Sequence, residues 1–435
     1  MPQLLNLLPS ILVVWATIFN GVLAIVNAHV TTLSPVSVMG AEGLTVGLAH
    51  FWAFKHFREE MKVWYVLLSI MFALFLVRSL LTGVPEIRYV RDVLIVPTFI
   101  VLGMTSQREN MTKTVCIIHL IVLVVMFYEA INTDGFARLF EIQDYYIHTR
   151  GYQEDNFWNK ESELFVNAVR PQDRIFLPFL DLHRLSSIFL EPVSLGNYCV
   201  LITAYMCATF PSLSRMERWF LGLGNVSILI GSDGRLAAVS SAVIILASLA
   251  AARLPRGSAL FYLPGAVLIA TLATYFGGFH DGPDDFAGRT AHTVTLLSQC
   301  DMPELIGISE RLLGLASDSG VVYMILTQSL IGMSLIWILI VAGAREDRLE
   351  QIRYTHAIGI YLSLAMIVSN AVFTIKTAGL LWFVQGVLQK REGAGSATPW
   401  LAGMIERHKQ PLAESRAPAG ATLLRLREDR TGSTD

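Results

Sequence analysis

Residues 8–27 read LPSILVVWATIFNGVLAIVN, a run without one charged side chain and long enough to cross roughly 30 Å of hydrocarbon. Similar runs follow at 36–54, 63–82, 92–105, 114–132, 192–211, 217–232, 235–252, 258–278, 319–342, 355–374 and 377–389. The 435-residue chain is 53% hydrophobic and only 16% charged, where a soluble domain carries about a quarter. Its mean hydropathy is +0.52. No stretch keeps the period-2 alternation of a lipid-facing strand, so a β-barrel is not a competitor. The fold expected is all-α: a polytopic membrane protein of about twelve transmembrane helices. The first run lacks a basic leader and reads as a retained span rather than a signal peptide. The last two are so closely spaced that a re-entrant pair is the alternative.

Positive charge predicts sidedness. Lys55, Arg58 and Lys62 share one connection, and Arg108 with Lys113 the next of the same parity. Arg215 with Arg218, Arg253 with Arg256, and Arg345, Arg348 with Arg353 continue the series. With twelve spans these face the cytoplasm, as do both termini. The chain then divides into N-terminal helices (1–133), a large outer loop (134–191), central helices (192–279), a second outer loop (280–318), C-terminal helices (319–389) and a tail (390–435). The tail is rich in Ala, Gly, Pro, Arg and Glu and is expected to be disordered. Three of the four cysteines, Cys116, Cys199 and Cys207, fall in spans and only Cys300 in a loop, so no disulfide is implied. No Cys or His spacing suggests a metal.

The two outer loops hold polar islands, Asp134 to Arg184 and His280 to Asp318. Arginines gather near that side: Arg78 late in the third run (LFLVRSLLTG), Arg88 and Arg91 in EIRYVRDV, Arg184, Arg235 after a GSDG turn, and Arg289. Arginine stays charged and grips phosphate oxygens with a planar fork, so Arg184, Arg235 and Arg289, assisted by Arg88 or Arg91, suit a pyrophosphate on a lipid. Plainer readings stand beside this one. Arg78 can snorkel to the headgroups, and Arg88 can pair with Glu86 or Asp92. Arg150 and Arg311 have no edge position and receive no role.

Arg184 through Asn197 reads RLSSIFLEPVSLGN and leads into a span. With SDGRLAAVSSAVIIL from Ser232 and SDSGVVYMILTQSLIG from Ser317, it resembles the Wzy-type polysaccharide polymerase and O-antigen ligase superfamily, and within it the xanthan-type exopolysaccharide polymerases. The resemblance covers the middle of the chain, with the three elements in the family's order. It implies a GT-C-like glycosyltransferase at the periplasmic face of a bacterial inner membrane. Undecaprenyl-pyrophosphate-linked oligosaccharide would be both donor and acceptor, with no metal, cofactor, nucleotide sugar or nucleic acid. Membrane lipid and the flippase and chain-length or export proteins of the same pathway are the partners implied. Where ligases of the superfamily keep a histidine, this chain has Asp318-Ser319, which favours a polymerase. The polymerase loop pattern of Arg, ten residues and Gly is only approximated, since eleven residues separate Arg184 from Gly196 and Arg289 has no such glycine.

Glycosyl transfer needs cations at the departing pyrophosphate and a base for the acceptor hydroxyl. The base candidates are Asp318, Glu191 and His292. Each has a structural alternative: Asp318 as a helix N-cap, Glu191 before Pro192 as a favourable charge at a helix start, His292 as a hydrogen bond within its loop. Asp233 reads more simply as a turn residue. Tyr145, Tyr146, Tyr152, Phe157 and Trp158 suit stacking on sugar rings or packing of the loop. Asp281, Asp284 and Asp285 read as a solvated turn. The rival functions are a ligase-type transferase and a flippase or transporter for lipid-linked saccharides. A transferase with an acidic pair in its first outer loop is disfavoured, because 28–35 contains no acid.

Overall fold

A computed structural model describes residues 7–157, 162–169, 183–251, 253–282, 285–343, 348–370 and 373–390. Trp158, Asp284, Arg345 and the expected tail from 391 lie outside these. The structure is all-helical, 81% helix, with no strand among the described residues. Six helices there are long and apolar enough to cross a membrane: Leu8–His29, Glu59–Thr82, Arg108–Ile131, Pro192–Ser212, Gly257–Phe276 and Gly320–Ala342. The other six expected runs are helical too over most of their length, but each is shorter, less apolar or more charged than those six.

In chain order the first helices are α1 (Leu8–His29), α2 (Pro35–Lys55), α3 (Lys62–Thr82), α4 (Ile87–Thr105) and α5 (Arg108–Ile131). The first island contributes α6 (Thr133–Phe140) and α7 (Ile142–Arg150). Next come α8 (Pro192–Thr209), α9 (Arg215–Ser232), α10 (Arg235–Ala250) and α11 (Tyr262–Phe276). The second island holds α12 (Phe286–Ser298) and α13 (Met302–Leu305), followed by α14 (Gly320–Ala342), α15 (Leu349–Val368) and α16 (Ile375–Gln389).

Two boundaries differ usefully from expectation. α4 begins at Ile87 rather than 92, so Arg88 and Arg91 stand on a helix and not in a connection. α15 begins and ends six residues earlier than its expected run of 355–374. Its polar start is packed: Gln351 is fully buried and donates to the Gly343 carbonyl at 2.8 Å, so the helix need not wait for an apolar residue.

α16 lies at the centre. Every one of its 15 residues is buried, and at 1.5 Å per residue it spans about 22 Å, short of the hydrocarbon thickness. Its backbone touches that of α4. A Cβ on Gly103 would strike the Phe383 carbonyl, and one on Gly386 the Ile100 carbonyl, so only glycine permits this approach. Without a hydrophobic drive in lipid, such small-residue seams are how helices associate. α14 is broken at Ser329, whose backbone (φ 66°, ψ 161°) is not helical. The Ser329 hydroxyl then accepts from Gly332 N at 3.1 Å and restarts the helix.

One end of the bundle collects the C-termini of α1, α3, α5, α9, α11 and α15 and the N-termini of α2, α4, α8, α10, α14 and α16. Both islands attach to it. Asn27, near the end of α1, donates to Asp144 of α7 at 2.8 Å. Thr293 of α12 donates to Ile367 O, near the end of α15, at 2.6 Å.

Candidate functional site

Asp318 closes a short 3-10 turn (Leu313–Asp318), and the residue after it, Ser319, caps α14 by accepting from Val322 N. Asp318 is therefore spared the N-cap role. Its carboxylate, with a side chain 49% exposed, stands 3.4 Å from Arg289 Nη1, which also donates to Val368 O. Arg289 is placed by α12, whose start is capped by Asp285 accepting from Gly288 N at 2.8 Å. Asp285 is thus a helix cap rather than part of a solvated turn.

His292 sits one turn beyond Arg289. Its Nε2 lies 3.0 Å from the Leu315 carbonyl and its Nδ1 3.1 Å from the Asp281 carboxylate. Both neighbours only accept, so the two contacts favour the charged ring. Burial lowers its pKa, but the Leu315 carbonyl and the Asp281 carboxylate outweigh that and raise it above 6.5. The ring ties Asp281, α12 and the 3-10 turn together.

Glu191 occupies the N-cap position of α8 yet caps nothing. Its carboxylate accepts instead from Lys376 Nζ (2.6 Å), the Tyr146 hydroxyl (2.6 Å) and the Ser194 hydroxyl (2.8 Å). Burial pushes its pKa up, but the Lys376 ammonium and the three hydrogen bonds hold it below the ordinary carboxylate value. A carboxylate held this way is a weak base. Lys376, 2% exposed and also donating to Phe189 O, was missed in the sequence. The available signal was a lone cation inside the apolar run FTIKTAGLLWF, a functional flag at membrane depth.

Beside this pair runs a chain of ions from the first island to the start of α14. Arg150 of α7 faces Glu42 of α2 (3.9 Å), Glu42 faces Arg91 of α4 (3.4 Å), and Arg91 grips Asp92 through Nε and Nη2 (2.9 and 2.7 Å). Asp92 then accepts from the Tyr323 hydroxyl, one turn into α14, at 2.6 Å. Arg150 also donates to Asn20 Oδ1 (3.3 Å), which accepts from the hydroxyl of Tyr145 (3.1 Å), the neighbour of Tyr146 on α7, so chain and pair are linked through α7. Arg88 is exposed and stands 5.8 Å from the centre of the Tyr89 ring, with Arg78 4.3 Å from the same centre. Arg78 does not snorkel. It is buried, donates to the Leu326 and Thr327 carbonyls (2.8 and 3.3 Å) that the break in α14 exposes, and pairs with Glu310 at 3.5 Å.

Arg184 is 4% exposed and donates to the Ser232 and Asn167 carbonyls at 3.0 and 3.2 Å. It fastens the first island to the α9–α10 turn, where Arg235 lies exposed at the first residue of α10. Asp233 occupies the left-handed position of that turn (φ 45°). The LSSIF part of the quoted motif folds around Glu129, a fully buried acid near the end of α5. Its oxygens accept from Ser186 N (2.9 Å), Ser187 N (2.7 Å) and the Ser186 hydroxyl (3.0 Å), a backbone nest that neutralises an otherwise costly charge. Of the loop aromatics, Tyr145, Tyr146 and Phe157 are buried, and Tyr146, Tyr152, Phe157 and Phe165 pack on one another. These rings pack the island, with Tyr152 half-buried.

The predicted residues thus fall into neighbouring groups at one end of the bundle. Asp318, Arg289 and His292 form one, Arg91 belongs to the ionic chain with Arg88 exposed about one turn before it, Glu191 borders it, and Arg184 and Arg235 flank the α9–α10 turn. No protein-family model, no curated protein and no solved structure matches the chain.

Proposed function

We propose that the chain is an integral glycosyltransferase of the polymerase type, joining undecaprenyl-pyrophosphate-linked oligosaccharide repeats into exopolysaccharide or O-antigen. It acts at the periplasmic face of the bacterial inner membrane, through twelve spans of GT-C-like arrangement with both termini in the cytoplasm. The observation that carries this reading is the gathering of both polar islands, with Asp318 and Arg289 part-exposed, over one end of an apolar helical bundle. Asp318 is the base: it takes the proton of the acceptor hydroxyl as that oxygen bonds the donor sugar's anomeric carbon. The bond to pyrophosphate breaks, and the departing charge is met by Arg289, Arg88 and Arg91. Arg184 and Glu191 act by position, one pinning the first island and one neutralising Lys376. Asp318 in place of a histidine separates this from the ligase alternative.

One observation favours a second reading, a flippase or transporter for the same lipids. α14 is broken nine residues after its start, with a buried arginine on the freed carbonyls, as in helices that line translocation paths. Deleting the gene separates the two. Single lipid-linked repeats accumulating on the periplasmic leaflet, with loss of long chains, support the polymerase; repeats held on the cytoplasmic leaflet overturn it in favour of the flippase.

A further inference from the structure

The middle of the second island descends beside the bundle. α3 and α14 run antiparallel, and their contacts give the depth of one along the other. Arg78 donates to the Leu326 and Thr327 carbonyls, and a Cβ on Gly332 would stand 3.0 Å from Met71 Cε. Ser329 falls between these two levels, roughly 6 to 16 Å below the end of α3 at about 1.5 Å per residue. Gly307 of the second island lies against Ser329 N, and Glu310 pairs with Arg78, so residues 307–310 sit near that depth. At that level and above it α3 still presents hydrocarbon outward: Val77, Leu80 (84% exposed) and Leu81. One helical turn precedes Gly307. In it Ile306 N donates to Met302 O at 3.0 Å, so the Met302 and Ile306 side chains share one side. They are 68% and 48% exposed, whereas Leu305 packs against the core and Glu304 is buried.

We propose that residues 302–310 form a re-entrant turn wedged into the outer leaflet, with Met302 and Ile306 in contact with lipid acyl chains. Non-helical backbone survives at such depth only when its polar groups are paired. Here the N–H groups of Leu305, Ile306, Gly307 and Ile308 donate to the Asp301, Met302, Glu304 and Pro303 carbonyls, each at 3.0 Å. The Glu304 carboxylate closes the turn. It accepts from Asp301 N (3.1 Å), the Ser309 hydroxyl (2.7 Å) and Arg311 Nε (3.0 Å). The exposed charges at its edges are partnered as well, Glu310 by Arg78 and Asp301 by Arg311 at 3.4 Å, as ions near lipid must be. The break in α14 is the notch that receives the turn. The wedge sets the height of the 3-10 turn that follows it, and so of Asp318, in a polymerase and a flippase alike.

Spin labels on Met302→Cys and Ile306→Cys are read by paramagnetic resonance in the full-length protein in lipid nanodiscs, with the four native cysteines changed to serine. Leu80→Cys is the lipid-facing reference and Gly314→Cys the aqueous one. Collision with oxygen reports hydrocarbon, and collision with a water-soluble nickel chelate reports water. The oxygen-to-nickel ratio at 302 and 306 is expected to match that at 80. It should exceed the ratio at 314 by at least about fivefold, because a polar chelate is excluded from hydrocarbon. Gly307→Val, whose Cβ would stand 2.9 Å from Ser329 N, is expected to lower the ratio at 306 toward the value at 314. A ratio unchanged by Gly307→Val overturns the seating in the α14 break. Ratios at 302 and 306 equal to that at 314 overturn the wedge in favour of an aqueous loop. Low collision with both reagents also overturns it, and shows the two side chains covered by protein, a second copy included. If the serine background does not fold, a benzophenone amino acid at position 306 of the otherwise native chain carries the same test. Photocrosslinks to lipid support the wedge, and crosslinks to protein alone overturn it.

Discussion

Asp318, Glu191 and His292 are all base candidates in the sequence, with Asp318 first by its place before a span, and the fold sets them further apart. Asp318 keeps a part-exposed carboxylate because Ser319 takes the capping bond. Asp318→Asn should cut polymer synthesis by about 10²–10⁴-fold with unchanged membrane insertion, read as chain length on gels beside immunoblots. Glu191 and Lys376 form a buried pair, so losing either partner strands the other charge. Lys376→Met is expected to cost on the order of 3–5 kcal/mol of stability. Adding Glu191→Gln should recover much of it in thermal unfolding of the solubilised protein. His292 bonds its neighbours best when charged, so its folded pKa lies above the unfolded 6.5. Its contribution is complete below 6.5 and is lost as pH rises through the elevated value. Hydrogen exchange in residues 281–318 should therefore quicken from pH 6 to pH 9, and His292→Gln should flatten that slope; an equal slope in the variant refutes the tie.

At the scale of elements, the seam between α4 and α16 is the most exacting contact. Gly103 and Gly386 bring backbone against backbone, so Gly386→Val should displace α16 and abolish accumulation of folded protein, judged by size-exclusion of the solubilised chain. The break in α14 is the other decisive element. Ser329 restarts the helix, and Arg78 takes the two carbonyls left behind. A helix end buried without such partners would be costly. The break also seats the second island, since Gly307, in the left-handed region (φ 76°), lies against Ser329 N, where a Cβ would stand 2.9 Å away. Both features were hidden in an apolar run that reads as one continuous span.

For the whole molecule, the convergence of the two islands predicts common sidedness. Single cysteines at Glu154 and Gly314, both exposed, should react with a membrane-impermeant maleimide from the same side. A cysteine at Glu59, in the connection before α3, should react only from the other side. Labelling of positions 154 and 314 from opposite faces would break the arrangement on which the proposed site depends.

Composition and run length by themselves determined a helical membrane protein, because burying about 20 apolar residues without a charge leaves few other stable states. The island edges were also legible, since Arg289 and Asp318 stand out against Leu, Val and Ile. What only tertiary structure decided is which charges neutralise one another. Glu42 lies in a run that looks like an ordinary span and Lys376 between two such runs, and nothing local shows that a partner waits more than 40 residues away across the bundle. Whether Glu191, Arg184 and Arg78 face a ligand or a neighbour's carbonyl depends on where the ends of α4, α8, α14 and α16 meet. An ion in lipid is tolerated only with a partner, and it is the packing that assigns one.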